Sequence, residues 1–373
     1  MDSMQTFREA VANPLAYAEE YHRTKDRPLM GYLCSYAPEE LILAAGLHPF
    51  RLFGARGNIH RADAHLQSYC CSLVRGVLEE ALAGKLGFLA GVIFPHTCDS
   101  IQRLSDIWRL QAITPFHADL VLPVKLNTES AKIYLREVLS RLKSELEAWR
   151  GITITEDDLR GAIAVMNRVR RGLQDIFERR SVSPGILSGA DLQSIARASF
   201  LLDRRELSDQ LARIGDDLRG KGNGTVDNGR KRLVLAGGFC DLPEIYGIIE
   251  EAGADVVGDD LCTGARAYGG MIDEDKEPLL AMTERYLTRP CCPAKHQGLT
   301  GRGEHLLRLV REKEADGVVF TWLKFCDPHA FDYPYLKAFL DQAGIPSLVL
   351  ELEDQLPGEG QLQTRFEAFI ETI

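Results

Sequence analysis

Nine cysteines in a chain of 373 residues are the side chains best equipped to do chemistry. Cys34, Cys98, Cys240 and Cys326 each follow an apolar run that reads as a strand, and the adjacent Cys70 and Cys71 open a predicted helix. In open α/β sheets ligands gather at that strand-to-helix edge. A helix N-terminus also favours thiolate over thiol, because its free N–H groups and dipole stabilise negative charge. The chain has no CxxC, no CxxC…HxxxH and no compact ferredoxin run, so zinc and ferredoxin chemistry lack their local signatures. Dispersed thiolates can still hold an iron–sulfur cluster, for which only their arrangement in space matters. Neighbouring residues rarely both ligate one centre, so Cys70–Cys71 and Cys291–Cys292 each contain a spare member. Simple burial accounts for any single cysteine equally well, because free Cys is among the most buried residue types.

The rest of the composition narrows the field. The chain is 45% hydrophobic and 26% charged, which fits a globular protein and excludes disorder, collagen and rod-like coiled coil. Its formal net charge of −10 argues against nucleic-acid binding, which leaves a basic footprint. The longest apolar runs fall far short of the ~18–20 residues of a membrane span. The opening MDSMQTFREA lacks a basic n-region followed by an apolar stretch, so the expectation is a soluble, cytoplasmic protein. An odd number of cysteines in a long chain does not describe a disulfide framework.

The elements that must position the cysteines follow from periodicity. Residues 30–33, 48–53, 88–94 and 120–124 read as strands, with helices over 39–45, 73–83 and 100–110 between them. Pro38 followed by Glu39 and Glu40 is a helix start. From 130 to 218 the apolar residues recur at three and four, which predicts successive helices. Residues 221–229, KGNGTVDNG, read as a linker. Strand–helix alternation then resumes, with strands at 232–236, 256–257, 317–321 and 347–350. Helices follow at 242–250, 279–287, 305–311, 335–342 and 364–370. The expectation is an α/β protein of two Rossmann-like or flavodoxin-like parallel-sheet domains joined by a helical segment. Its divisions are residues 1–127, 128–228 and 229–373.

Other features carry weaker signals. Residues 236–244, AGGFCDLPE, could cradle a phosphate, although a tight structural turn explains the glycines better. His96 could move a proton or bond a cluster sulfur, against the plainer reading of a loop histidine. Glu39 and Glu40 could face substrate, yet helix-start stabilisation suffices. Arg302 and His305 could meet an anionic ligand, against a solvated helix start. Phe331, Tyr333 and Tyr335 read as packing around the Cys326 loop. No GxxxxGK[ST] occurs, so ATP hydrolysis belongs to another protein.

Local wording adds a resemblance. CSYAPEELILAAGLHPFRL (34–52), SYCCSLVRGVLEEAL (68–82) and GVIFPHTCDSIQRLSDIWR (91–109) resemble the N-terminal half of the 2-hydroxyacyl-CoA dehydratase catalytic components. DDLCTGAR (259–266), ERYLTRPCCP (284–293), KFCDPHAFDYPYLK (324–337) and GQLQTRFEAFIE (360–371) resemble its C-terminal half. The family is related to the cluster-bearing subunits of ATP-dependent benzoyl-CoA reductase. The resemblance implies a [4Fe-4S] cluster on Cys71, Cys98 and Cys326, with Cys34 at the position that approaches the fourth iron. It also implies a double-cubane alternative that recruits Cys262 and Cys291 or Cys292. The implied reaction takes one low-potential electron from an ATP-dependent iron–sulfur activator protein. A thioester ketyl radical anion then expels the neighbouring hydroxyl, and loss of a β-proton with return of the electron gives the enoyl-CoA. The implied partners are that activator, an acyl-CoA substrate, and a homologous second subunit or a second copy of the chain.

Overall fold

Eight parallel strands form two four-stranded sheets among the described residues. The computed structural model describes residues 4–55, 57, 59–221, 229–240, 244–353 and 358–373. The first sheet comprises β1 (Leu29–Tyr32), β2 (His48–Arg51), β3 (Leu89–Pro95) and β4 (Phe116–Leu120), in the order β2-β1-β3-β4. The second comprises β5 (Lys231–Gly237), β6 (Ala254–Asp260), β7 (Gly317–Leu323) and β8 (Ser347–Leu352), in the order β6-β5-β7-β8. Helices cover the sheets, so central strands read as unbroken apolar runs: LAGVIFP in β3 and GVVFTWL in β7.

The two sheets share one topology, the flavodoxin-type order in which the winding reverses between the first and third strands. The reversal falls between β1 and β3 in one sheet and between β5 and β7 in the other. Beyond the carboxyl ends of such a strand pair lies a crevice, because the following helices depart to opposite faces.

The region between the sheets is helical, as the periodicity predicts. Glu129–Arg150 is capped by Thr128 and stops at Gly151, whose φ of 65° suits glycine. Glu156–Val182 opens with a capping box of Thr155 and Asp158. Gly189–Ala198 and Arg204–Gly220 follow. The 27-residue helix Glu156–Val182 packs on Glu39–Ala44 beside the first sheet and on β6 of the second. It is therefore a strut between the sheets.

Some elements differ from expectation. The fourth strand is Phe116–Leu120 and not 120–124, because Pro123 has no N–H to give a ladder and residues 116–120 alternate in burial as an edge strand does. Two N-terminal helices, Gln5–Ala12 and Pro14–Thr24, were not expected. The helix expected at 335–342 starts at Asp327 and contains Pro334. Its two prolines disguised its first two turns. The expected helix at 242–250 is described as Ile245–Glu251, and most of the 221–229 linker lies outside the described residues. No described helix is long and apolar enough to cross a membrane.

Candidate metal centre

The strand reversals bring the cysteines together. Cys34 follows β1, Cys98 follows β3 and Cys326 follows β7. Cys71, Cys98 and Cys326 are the N-cap residues of Ser72–Leu82, Asp99–Leu110 and Asp327–Gln342. Six cysteines (Cys34, Cys71, Cys98, Cys262, Cys292 and Cys326) line one cavity of about 660 Å³ including its mouth. Of each adjacent pair, Cys71 and Cys292 reach the cavity, and Cys70 and Cys291 do not line it. Cys240, also at a strand end, stays in the core near Thr321.

Burial, and not the helix dipole, governs the thiols. Cys71 is pushed up to about 11 and Cys98 to about 12, chiefly by burial. Cys326 stands well above the ordinary thiol range for the same reason, reinforced by Cys71. The expectation that helix N-termini favour thiolate is thus outweighed. Backbone N–H groups of Leu73 and Val74 do pull Cys71 down, but a cap is worth under ~1 kcal/mol, whereas desolvation moves a pKa by up to ~3–5 units. Thiols held this way ionise when a metal takes the proton's place.

Six thiols sharing one cavity are the donor type that an iron–sulfur group takes. Among the described residues no three His, Cys, Asp or Glu side chains are grouped closely enough to hold a metal ion. The thiols instead ring a space walled by Leu33, Leu73, Val74, Ile101, Phe239 and Leu323, a dry surround suited to a cluster.

Polar groups behind the wall orient the cysteines. His329 Nδ1 lies 3.2 Å from Cys326 Sγ, and Arg266 Nη2 lies 3.2 Å from His329 Nε2. Arg266 is also paired with Asp260 at 3.0 Å. The loop that presents Cys262 is tied by Asp259, whose carboxylate accepts from the Leu261 and Ala265 N–H groups. A Cβ on Gly264 would stand 2.1 Å from Asp259 Oδ1, so only glycine fits there. Arg51 Nη1 donates to the Cys262 carbonyl at 2.8 Å, with Nη2 3.5 Å from its Sγ. Sequence reasoning passed over Arg51, Arg266 and His329. The i to i+3 spacing of Cys326 and His329 at a helix start was the one available signal.

Other sequence candidates are placed differently. Glu39 bonds Tyr32 and Arg204 at 2.6 Å each, and the fully buried Glu40 pairs with Arg170, so these first-turn acids of the helix are also its fastenings to the helical region. His96 turns to Asp119 at 2.7 Å. Arg302 is no solvated residue: it bridges Asp332 at 2.7 Å and Asp260 at 3.2 Å, with His305 half-buried beside Asp260. The Gly238 N–H is spent on the Thr321 carbonyl at 2.9 Å, which makes Gly237–Gly238 a packing turn. Tyr333 packs on Phe320 and Trp322, but Phe331 and Tyr335 are 77% and 71% exposed and line a groove that meets the cavity at Cys98. The packing reading fails for those two.

Two flavodoxin-type sheets, with a cavity at the ends of their strands lined by six cysteines, define an α/β protein of the doubly wound, parallel-sheet class. The profile of the family described as 2-hydroxyglutaryl-CoA dehydratase, D-component, matches residues 34–373, and the chain belongs to that family. It is 27% identical to the (R)-phenyllactyl-CoA dehydratase beta subunit of Clostridium sporogenes over 98% of this chain and 97% of that protein. It is 25% identical to the beta subunit of (R)-2-hydroxyglutaryl-CoA dehydratase of Acidaminococcus fermentans, over 99% and 98%. It is 28% identical to a benzoyl-CoA reductase subunit of Thauera aromatica, over 90% and 88%. All three are named as one subunit of a larger enzyme, and the present chain is likewise a dehydratase-type enzyme component.

Proposed function

We propose that this chain is the iron–sulfur component of a 2-hydroxyacyl-CoA dehydratase, removing water from an (R)-2-hydroxyacyl-CoA to give the enoyl-CoA. The observation that carries the reading is the convergence of Cys34, Cys71, Cys98 and Cys326 from both sheets on one cavity. These cysteines would hold a [4Fe-4S] cluster, which would supply low-potential electron transfer to the substrate thioester, with an ATP-dependent activator protein as the electron source.

The chain's own part is to hold and to exclude. Cys71, Cys98 and Cys326 are the ligands fixed by helix starts, and Cys34 faces the same space from the end of β1. The apolar wall keeps water from the reacting centre, which a strongly reducing site requires. The groove by Phe331 and Tyr335 is the approach from outside. With no phosphate-binding loop of its own, the chain works with the activator and with a homologous second subunit or a second copy of itself. A reductase of the benzoyl-CoA type is the variant reading that the Thauera relative favours.

One observation favours a second reading. A single cubane uses four protein ligands at most, and six thiols line the cavity. Cys262 and Cys292 as additional ligands describe a double-cubane reductase of small molecules. Iron and acid-labile sulfide per chain after strictly anaerobic purification, with low-temperature EPR, separate the two: about four irons for the first, about eight for the second. With about four, acyl-CoA dehydration is then assayed with an activator. An iron-free protein under verified anaerobiosis overturns both.

A further inference from the structure

We infer that Arg51 is the built-in counter-ion of the cysteine cavity, holding Cys262 toward an anionic metal–thiolate group; this rests on the cluster reading above. Arg51 ends β2, is 1% exposed, and is the one Asp, Glu, Lys or Arg among the residues lining the cavity. Its guanidinium lies against three aromatic rings, 4.6 Å from Phe200, 5.7 Å from Phe239 and 5.9 Å from Phe53. Nη1 donates to the Cys262 carbonyl and Nη2 points at Cys262 Sγ.

Three other buried arginines are paired with a carboxylate: Arg170 has Glu40, Arg204 has Glu39, and Arg266 has Asp260. Arg285, which has no carboxylate partner among the described residues, donates to three carbonyls, those of Ala267, Gly269 and Gly270. Arg51 has one carbonyl and one sulfur. A buried charge without a partner costs several kcal/mol, so a fold retains one where a ligand completes it. Arg289 repeats the pattern behind the wall. It is buried between Tyr36 and Tyr286 at 4.0 and 5.0 Å and donates to the Ser35 carbonyl, with no acid partner among the described residues.

Thiolates ligating iron provide the missing negative charge, and a donor on a ligand sulfur raises a cluster's potential. Arg51 is therefore a positioning residue that sets Cys262 and lends positive charge to the thiolates of the cavity; Cys262 itself joins the ligand set only in the double-cubane reading.

The test compares wild type, Arg51→Met and Arg51→Lys, each metal-free and after anaerobic iron–sulfur reconstitution, with Arg285→Met as the control for a structurally satisfied arginine. The readouts are melting temperature, midpoint potential and iron release to a chelator. The expected result is a metal-free Arg51→Met that melts no lower than metal-free wild type, since an uncompensated charge has been removed. Once loaded, it gains less in melting temperature than wild type, has a more negative potential and loses iron roughly tenfold faster, the scale of an outer-shell loss. Arg51→Lys retains part of the potential, and Arg285→Met melts lower in both states. A metal-free Arg51→Met that melts lower or fails to fold overturns the inference, because Arg51 is then a strut. So does a loaded variant with wild-type potential and release. Wild type that takes up no iron overturns the proposed function instead, and the metal-free melts still decide the role of Arg51.

Discussion

His329 Nδ1 sits 3.2 Å from Cys326 Sγ, one turn along the helix that Cys326 caps. The direction of that bond follows the tautomer of the ring: Arg266 has only donors, so when His329 Nε2 accepts from it the proton sits on Nδ1, facing Cys326. Burial, with Arg266 and Arg302 adding to it, holds His329 well below the ordinary histidine range, so the ring is neutral. A neutral imidazole donating to a ligand sulfur is an outer-shell partner of the kind that orients ligands.

His329→Ala is expected to speed iron release from anaerobically loaded protein roughly tenfold or more, with His329→Asn restoring much of the loss through its amide N–H. Chelator kinetics read this directly, and equal rates in the three proteins would remove His329 from the support of Cys326.

The adjacent pairs give a sharper test of the ligand set. Cys71→Ala, Cys98→Ala and Cys326→Ala should each abolish the cluster, while Cys70→Ala and Cys240→Ala should keep full iron content. Cys262→Ala or Cys292→Ala should leave about half the iron if the group is a double cubane and all of it if a single cubane. Intact iron in Cys326→Ala would sink the assignment.

Glu40 and Arg170 join the helix after Cys34 to the strut helix Glu156–Val182, and both are almost wholly buried. Removing one partner strands the other. Glu40→Ala should cost about 3–5 kcal/mol in urea unfolding, with the loss reduced in the double variant Glu40→Ala, Arg170→Met. A loss below about 1 kcal/mol would show that the pair does not fasten the helix.

His48 stacks on Tyr21 at 4.3 Å and bonds the Leu201 carbonyl, and burial lowers it to about 3. Its unfolded value is ~6.5, so between those values the unfolded chain binds the proton and the folded chain does not. Stability is fully present above pH ~6.5 and falls by up to ~1.4 kcal/mol per pH unit on acidification toward 3. Denaturation curves at pH 7 and pH 5 should show this contribution in wild type and lack it in His48→Gln. An unchanged pH slope would contradict it.

Much of the fold was legible because fully buried parallel strands and helix-spaced segments are local patterns. Residues 88–94 and 317–321 are apolar enough to be strands in any context, and the helices of 130–218 announce themselves by period. Errors arose where a run containing proline was read as a strand, as at Pro123, where proline hid a helix, as at Pro334, or where an edge strand carried polar residues such as His117 and Asp119. Of the cavity cysteines, Cys34, Cys98 and Cys326 were marked by strand-to-helix position. Arg51 was not, because a strand-end arginine next to apolar residues looks like ordinary surface.

By itself the sequence determined the two strand–helix series, the helical middle, the family wording and the cysteines at strand ends, all of which depend on residues near one another in the chain. Tertiary structure alone decided that Cys292 lines the cavity while Cys291 does not, and that Arg51 meets Cys262 across 211 positions. Those outcomes follow from how two sheets and a strut helix pack. That packing minimises buried area left open and charge left unpaired over the whole molecule, and no local stretch of sequence encodes that sum.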